Sequence, residues 1–119
     1  MDASLKGLGA VFGQIQQSRN VTVAFASRSL KDAEIKYSTI EREALACVWA
    51  VQKFKTYLWG RHFEIYTDHK PLLHLLNGNG LGNASARLVR ILSKLQEYNL
   101  QMKYTRGKEF KQITYHVSL

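Results

Sequence analysis

Two strand-like runs come early in the chain. Gly7 to Gln16 and Val21 to Ser27 are rich in small, β-branched and aromatic residues. The polar residues 17–20 between them have the length of a hairpin connector. The pattern therefore predicts an antiparallel hairpin.

A helical stripe follows over residues 38–58, where apolar side chains recur at spacings of three and four. The stripe consists of Ile40, Ala44, Cys47, Val48, Val51, Phe54 and Leu58. Ser38 is placed to cap the first amides, and Glu41 completes a capping box. Gly60 is expected to end this helix.

The second half of the chain contains segments with the apolar spacing of strands and segments with that of helices. Phe63 to Thr67 has the period of a strand, and Pro71 suits the first turn of a short helix. After a turn-rich break at 77–83, Leu88 to Leu95 predicts a basic amphipathic helix and Leu100 to Tyr104 predicts a last strand. Together the elements predict one α/β domain, a mixed sheet with helices packed on it.

Composition limits the possible functions. The chain has 119 residues, of which 45% are apolar, so it can bury one core. Its formal net charge of +8 favours a polyanionic partner such as nucleic acid or an anionic membrane. No run approaches the roughly 20 apolar residues that span a bilayer, and Met1 to Ser4 is not the start of a secretory signal. We therefore expect a soluble intracellular protein, in the cytoplasm or nucleus and not secreted.

The single cysteine excludes an internal disulfide and a cysteine-rich zinc site. Because Cys47 lies on the apolar stripe, we interpret it as a small buried side chain. The histidines lack the close spacings of a zinc site.

Three carboxylates stand where elements begin or end: Asp2 in a short first strand, Glu43 in the first helical turns, and Asp68 at a strand end. If the strands of Asp2 and Asp68 are neighbours and the helix crosses them, the three side chains converge. Hard divalent cations such as Mg²⁺ prefer such oxygen ligands. The alternative is that each acid is a solvated surface residue.

An ordered series of motifs resembles the ribonuclease H domain of gypsy-type LTR retrotransposons, from residue 2 to about residue 109. The matching segments are residues 2–4 (DAS), 7–11 (GLGAV) with Gln14, 24–30 (AFASRSL), 33–46, 57–63, 67–72 (TDHKPL), and Arg87, Arg90, Leu95, Tyr98, Tyr104, Gly107 and Lys108. Each motif is weak alone, but their order along the chain is specific.

The resemblance implies a ribonuclease H-like fold, a five-stranded mixed sheet with flanking helices, which cuts the RNA strand of RNA/DNA hybrids with Mg²⁺, or with Mn²⁺ in its place. Asp2, Glu43 and Asp68 would be three of the four metal-binding catalytic carboxylates. In an intact polyprotein a reverse transcriptase domain would lie upstream. The candidate nucleic-acid-binding residues are Arg28, Lys70, Arg87 and Arg90.

The two ends depart from the family pattern. Only Met1 precedes Asp2, where the family has a longer central first strand, and marginal stability is therefore predicted. The family's fourth carboxylate is missing, because no Asp follows Gly107. Glu109 and His116 are weak candidates to replace it. We divide the chain into a ribonuclease H-like domain at 1–109 and a divergent tail at 110–119.

Two hypotheses stay open at this point. The first is a metal-dependent nuclease that works with three carboxylates. The second is an inactive ribonuclease H-like remnant that binds nucleic acid or protein, or has no function. Basic residues near Trp59 and Tyr57, among them Lys53, Lys55, Arg61 and Lys94, could track phosphates in either case, although solvated helix faces explain the charges equally well.

Overall fold

Five strands pair into one mixed sheet in the computed structural model, which describes residues 7–77, 82, 84–107 and 111–116. They are β1 (Gly7–Gln16), β2 (Arg19–Ser29), β3 (His62–Thr67), β4 (Asn99–Tyr104) and β5 (Lys111–His116). Their order across the sheet is β2-β1-β5-β3-β4. β1 is antiparallel to β2 and parallel to β5, whereas β3 is antiparallel to β5 and parallel to β4. The predicted five-stranded mixed sheet is confirmed.

The predicted hairpin is confirmed, with a tighter turn than expected. Only Gln17 and Ser18 separate β1 from β2, and both have positive φ, 50° and 67°. Two consecutive positive φ angles are typical of a type I′ turn, whose twist matches that of the paired strands. Strand pairing therefore extends two residues further than the sequence pattern indicated, to Arg19.

The helices are α1 (Asp32–Ile35), α2 (Thr39–Lys53), α3 (Lys55–Leu58), α4 (Lys70–Asn77) and α5 (Ala86–Ser93). The capping box at the start of α2 is confirmed: the Glu41 amide donates to Ser38 Oγ at 3.3 Å, and the Ser38 amide donates to Glu41 Oε1 at 2.9 Å. The single helix predicted over 38–58 is interrupted at Phe54, whose φ and ψ are −104° and 21°. The Phe54 ring stacks on Phe12 of β1 at 5.3 Å, so packing against the sheet accompanies the break.

The core lies between α2 and the middle of the sheet. Cys47 and Val51 of α2 are fully buried with Phe12, Phe63 and Ile65 of the strands. No helix in the described parts of the chain is long and apolar enough to cross a membrane.

The main departure from the sequence-based expectation concerns residues 111–116. They belong to the segment interpreted as a divergent tail, and they form β5 in the middle of the sheet. Lys111, Ile113, Thr114 and Tyr115 are at most 5% exposed, which means that both faces of the strand are covered. The resemblance assigns a central position to the strand that carries Asp2, and Asp2 lies outside the described residues.

Candidate active site

Glu43 is positioned by the first half of α2, which carries it onto the sheet. Its side chain is 20% exposed and lies against β5. There the Lys111 ammonium donates a hydrogen bond to Glu43 Oε2 and forms an ion pair with it. A residue from the tail therefore contacts a predicted catalytic carboxylate.

Lys111 also connects to the end of β3. Its Nζ donates to Thr67 Oγ1 at 3.1 Å. Burial lowers the pKa of Lys111, but coupling to Cys47, Glu43 and Asp68 outweighs this and raises the pKa above its ordinary value. The group at the centre of the site is therefore a positively charged ammonium.

Asp68 follows directly on β3 and is exposed, and its charge acts on the same ammonium. The backbone beside it is held in place by Thr67. The His69 amide donates to Thr67 Oγ1 at 3.1 Å, and the Thr105 amide donates to the Thr67 carbonyl at 2.9 Å. The Lys111 ammonium thus contacts Glu43 of α2 and the end of β3 at Thr67, directly before Asp68.

The other candidate ligands fall outside the described residues. Asp2 and Glu109 are in undescribed segments, and the same holds for the side chain of His116. Cys47 is fully buried, and burial raises the pKa of its thiol to about 11, which leaves it a poor nucleophile.

The donor chemistry of this site suits a cation. Two carboxylates and a hydroxyl are the oxygen ligands that Mg²⁺ prefers, and an ammonium already lies among them. Among the described residues, no three His, Cys, Asp or Glu side chains are close enough together to hold a metal ion. Asp2, Glu43 and Asp68 stay the residues that the family resemblance predicts to hold one, and Asp2 lies outside the described residues.

Sequence reasoning missed Lys111. Ile113 and Tyr115 alternate with polar residues after it, which is a strand signal. That signal does not say which strands β5 joins, so the contact with Glu43 could not be inferred from the sequence.

The candidate nucleic-acid-binding residues differ in their contacts within the protein. Arg28 forms a two-pronged ion pair with Glu34 of α1 at 2.7 and 2.9 Å, and this hydrogen bonding raises the pKa of the guanidinium. Arg87 lies 3.4 Å from Glu41 and over the Tyr37 ring at 4.6 Å. Arg28 and Arg87 thus contribute to the fold whether or not they bind nucleic acid.

Lys70 and Arg90 are exposed, at the start of α4 and on α5. Lys70 lies over the Tyr104 ring at 5.0 Å. Exposed aromatic side chains lie beyond α2: Tyr57 is 45% exposed and Trp59 is 55% exposed, with Lys55 over the Trp59 ring at 5.2 Å.

Comparison with known proteins agrees with this fold. Residues 1–98 match the model of the RNase H-like domain found in reverse transcriptase. The chain is 40% identical over 108 residues to the retrovirus-related Pol polyprotein from transposon 412 of Drosophila melanogaster, covering 91% of this chain and 8% of that protein. It is also 40% identical over 109 residues to the Pol polyprotein from transposon gypsy of the same species, covering 91% of this chain and 10% of that protein.

Relatives extend beyond insect transposons. The enzymatic polyprotein of Carnation etched ring virus is 35% identical over 107 residues, covering 89% of this chain and 16% of that protein. A foamy viral protease-reverse transcriptase, solved in complex with RNA/DNA hybrid, superposes with a TM-score of 0.54 at 18% identity, over 87% of this chain and 16% of that one. The predicted ribonuclease H-like fold and the retrotransposon resemblance are confirmed. The chain belongs to the family of RNase H-like domains found in reverse transcriptase.

Proposed function

We propose that this chain is the ribonuclease H part of a Pol polyprotein, following a reverse transcriptase domain, and that it hydrolyses the RNA strand of RNA/DNA hybrids with Mg²⁺, or with Mn²⁺ in its place. Asp2, Glu43 and Asp68 are the proposed catalytic and metal-holding residues. The observation that supports this most directly is that the Lys111 ammonium contacts both Glu43 and Thr67, the residue before Asp68.

Bound divalent ions would supply the charge that activates a water and stabilises the leaving oxygen. The chain itself supplies fixed carboxylates. Glu43 is held by α2, whose first turn is closed by Ser38 and Glu41. Asp68 is exposed, so it is open to a phosphodiester, and the hydrogen bonds of Thr67 hold its backbone. Such rigidity favours catalysis because little reorganisation is needed.

Binding of the hybrid is proposed to use exposed cations near these carboxylates and on α5. Lys70 lies two residues after Asp68, and Arg90 is exposed on α5. The net charge of +8 supports association with a polyanion. Replacing both Lys70 and Arg90 with Gln should weaken hybrid binding and lower the slope of affinity against salt by about one per lost phosphate contact. Arg19→Gln, at the hairpin turn, removes a charge elsewhere and should leave that slope unchanged.

The decisive experiment is cleavage of an end-labelled RNA/DNA hybrid with Mg²⁺, with Mn²⁺ and with chelator. Asp68→Asn should abolish cleavage while sparing the fold, because it removes a metal-binding charge and keeps the shape of the side chain. Asp32→Asn makes the same change at an exposed acid on α1 and should cut like the wild type. Cleavage that persists in Asp68→Asn, or fails equally in Asp32→Asn, would show that the site is assigned wrongly.

A second candidate is a module that binds hybrid without cutting it. The pairing of Glu43 with Lys111 favours this candidate, because that carboxylate already has a cation partner. It predicts salt-dependent hybrid binding and no cleavage with either metal by a folded chain.

A further inference from the structure

The Lys111 side chain is unusual because it is a buried cation in the middle of the sheet. The residue is 5% exposed, and its side chain is 6% exposed. Burying an ammonium is unfavourable unless it is paired and hydrogen bonded. Glu43 Oε2 and Thr67 Oγ1 meet that need. The ammonium is therefore an integral part of the site.

The space beside the Glu43–Lys111 pair is small. A cleft of about 20 Å³ lies there, and the charged residues that line it are Arg42, Glu43 and Lys111. That volume admits about one water molecule. Mg²⁺ gives up its waters reluctantly and usually keeps several of them. A divalent ion beside Glu43 would therefore have to give up most of its waters inside this cleft, and the ammonium that already pairs with Glu43 would repel it.

The strand that carries Lys111 fixes the position of its backbone. Lys111 is the first residue of β5, which pairs with β1 through Ala10 to Ile15 and with β3 through Glu64 to Tyr66. Ile113 is fully buried and Tyr115 is 5% exposed, so the strand is anchored beyond the lysine. Occupation of the site by Lys111 is thus coupled to the pairing of the central strand.

We propose that Lys111 is the resident cation of this site and that it excludes a divalent metal ion from Glu43 for as long as β5 is paired in the sheet. The inference rests on the proposed function for the role of Glu43 as a metal ligand. It adds a means of regulation, because hybrid cleavage at the proposed site would require β5 to unpair, and cleavage with β5 in place should be weak.

The test is Mn²⁺ binding, measured by electron paramagnetic resonance of the free ion. Lys111→Met keeps the length of the side chain and removes its charge. This variant should bind Mn²⁺ at least about tenfold more tightly than the wild type, because a like charge next to the ligand is gone. The added Glu43→Gln change should abolish the gain. Lys111→Arg keeps the charge and should bind Mn²⁺ no better than the wild type.

Lys103→Met is the matched control. Lys103 on β4 pairs with Glu64 of β3 at 2.5 Å and is 43% exposed, so the variant loses the same type of ion pair away from the site. Its Mn²⁺ affinity should equal that of the wild type. Circular dichroism melts establish that each variant is folded.

A folded Lys111→Met that gains no Glu43-dependent Mn²⁺ binding would overturn the inference. If that variant does not fold, the wild type decides. A wild-type Mn²⁺ affinity that falls in Glu43→Gln overturns the inference, and an affinity that Glu43→Gln leaves unchanged supports it. Hybrid cleavage is scored separately. A gain of Mn²⁺ binding in Lys111→Met without cleavage would reject the proposed hydrolysis and leave the exclusion by Lys111 standing.

Discussion

The central strand β5 and the edge strand β2 each carry a cation that needs an acidic partner, but the two cations differ in burial. Each carries a cation that pairs with a glutamate on a helix: Lys111 with Glu43 of α2, and Arg28 with Glu34 of α1. The side chain of Lys111 is 6% exposed, whereas that of Arg28 is 25% exposed. The side chain of Glu43 is 20% exposed and that of Glu34 is 9% exposed. The more buried member is therefore the cation in the central pair and the carboxylate in the edge pair.

This difference matters because of desolvation. A paired charge that stays near water loses little when its partner is removed, because water takes the partner's place. A charge inside the sheet has no such substitute and becomes strongly unfavourable when it is left alone. Burial of the cation therefore decides what is lost when each glutamate is removed.

The largest effect is expected from Glu43→Ala. The change leaves the Lys111 ammonium buried without its carboxylate and should lower the free energy of unfolding by about 3 to 5 kcal/mol. Urea unfolding measures this loss. In the Lys111→Met background the same change should cost far less, because no charge is left unpaired. Equal losses in both backgrounds would mean that the pair is not coupled.

Ile113→Ala tests whether β5 is in fact the central strand. Ile113 is fully buried between Phe12 of β1 and Ile65 of β3 in the strand register, so the truncation should cost about 2 to 4 kcal/mol. Ile35→Ala, at a position 52% exposed on α1, should cost much less. Similar losses of unfolding free energy for the two variants in chemical denaturation would contradict the central position of β5.

Acidification should weaken the Arg28–Glu34 ion pair at the edge of the sheet. The pKa of Glu34 is lowered, chiefly by the hydrogen bond from Arg28. Its stabilising contribution is complete above the ordinary glutamate pKa and is lost as the pH falls through the lowered value. Urea midpoints measured at decreasing acidic pH should therefore fall less steeply in Glu34→Gln than in the wild type. Parallel profiles would show that the Arg28 pair adds no stability.

The smallest effect is expected at the hairpin turn. Gln17 and Ser18 both have positive φ, which side chains other than those of Gly, Asn and Asp rarely adopt. The double change Gln17→Asn and Ser18→Gly fits a type I′ turn and should raise the free energy of unfolding by about 0.5 to 1 kcal/mol. A loss of stability, measured by thermal melts, would contradict the turn geometry.

The sequence by itself determined the local elements. The strand-like run from Gly7 to Gln16 predicted β1, the apolar stripe and the Ser38–Glu41 box predicted α2, and both elements were found. These elements can be predicted from the sequence because the spacing of apolar residues and helix capping depend on neighbours along the chain. The motif series likewise predicted the family and the fold, which the comparisons confirmed.

Only the tertiary structure decided what lies at the centre of the sheet. The pairing of Phe12 with Ile113 joins distant parts of the chain. No local sequence pattern indicates which strand occupies the central position of the sheet. The end of α2 at Phe54 also depends on a long-range contact, the packing of Phe54 on Phe12. The helical spacing of apolar residues does not indicate that contact. The contact between Lys111 and Glu43 follows from that long-range pairing, and with it the identity of the cation among the carboxylates.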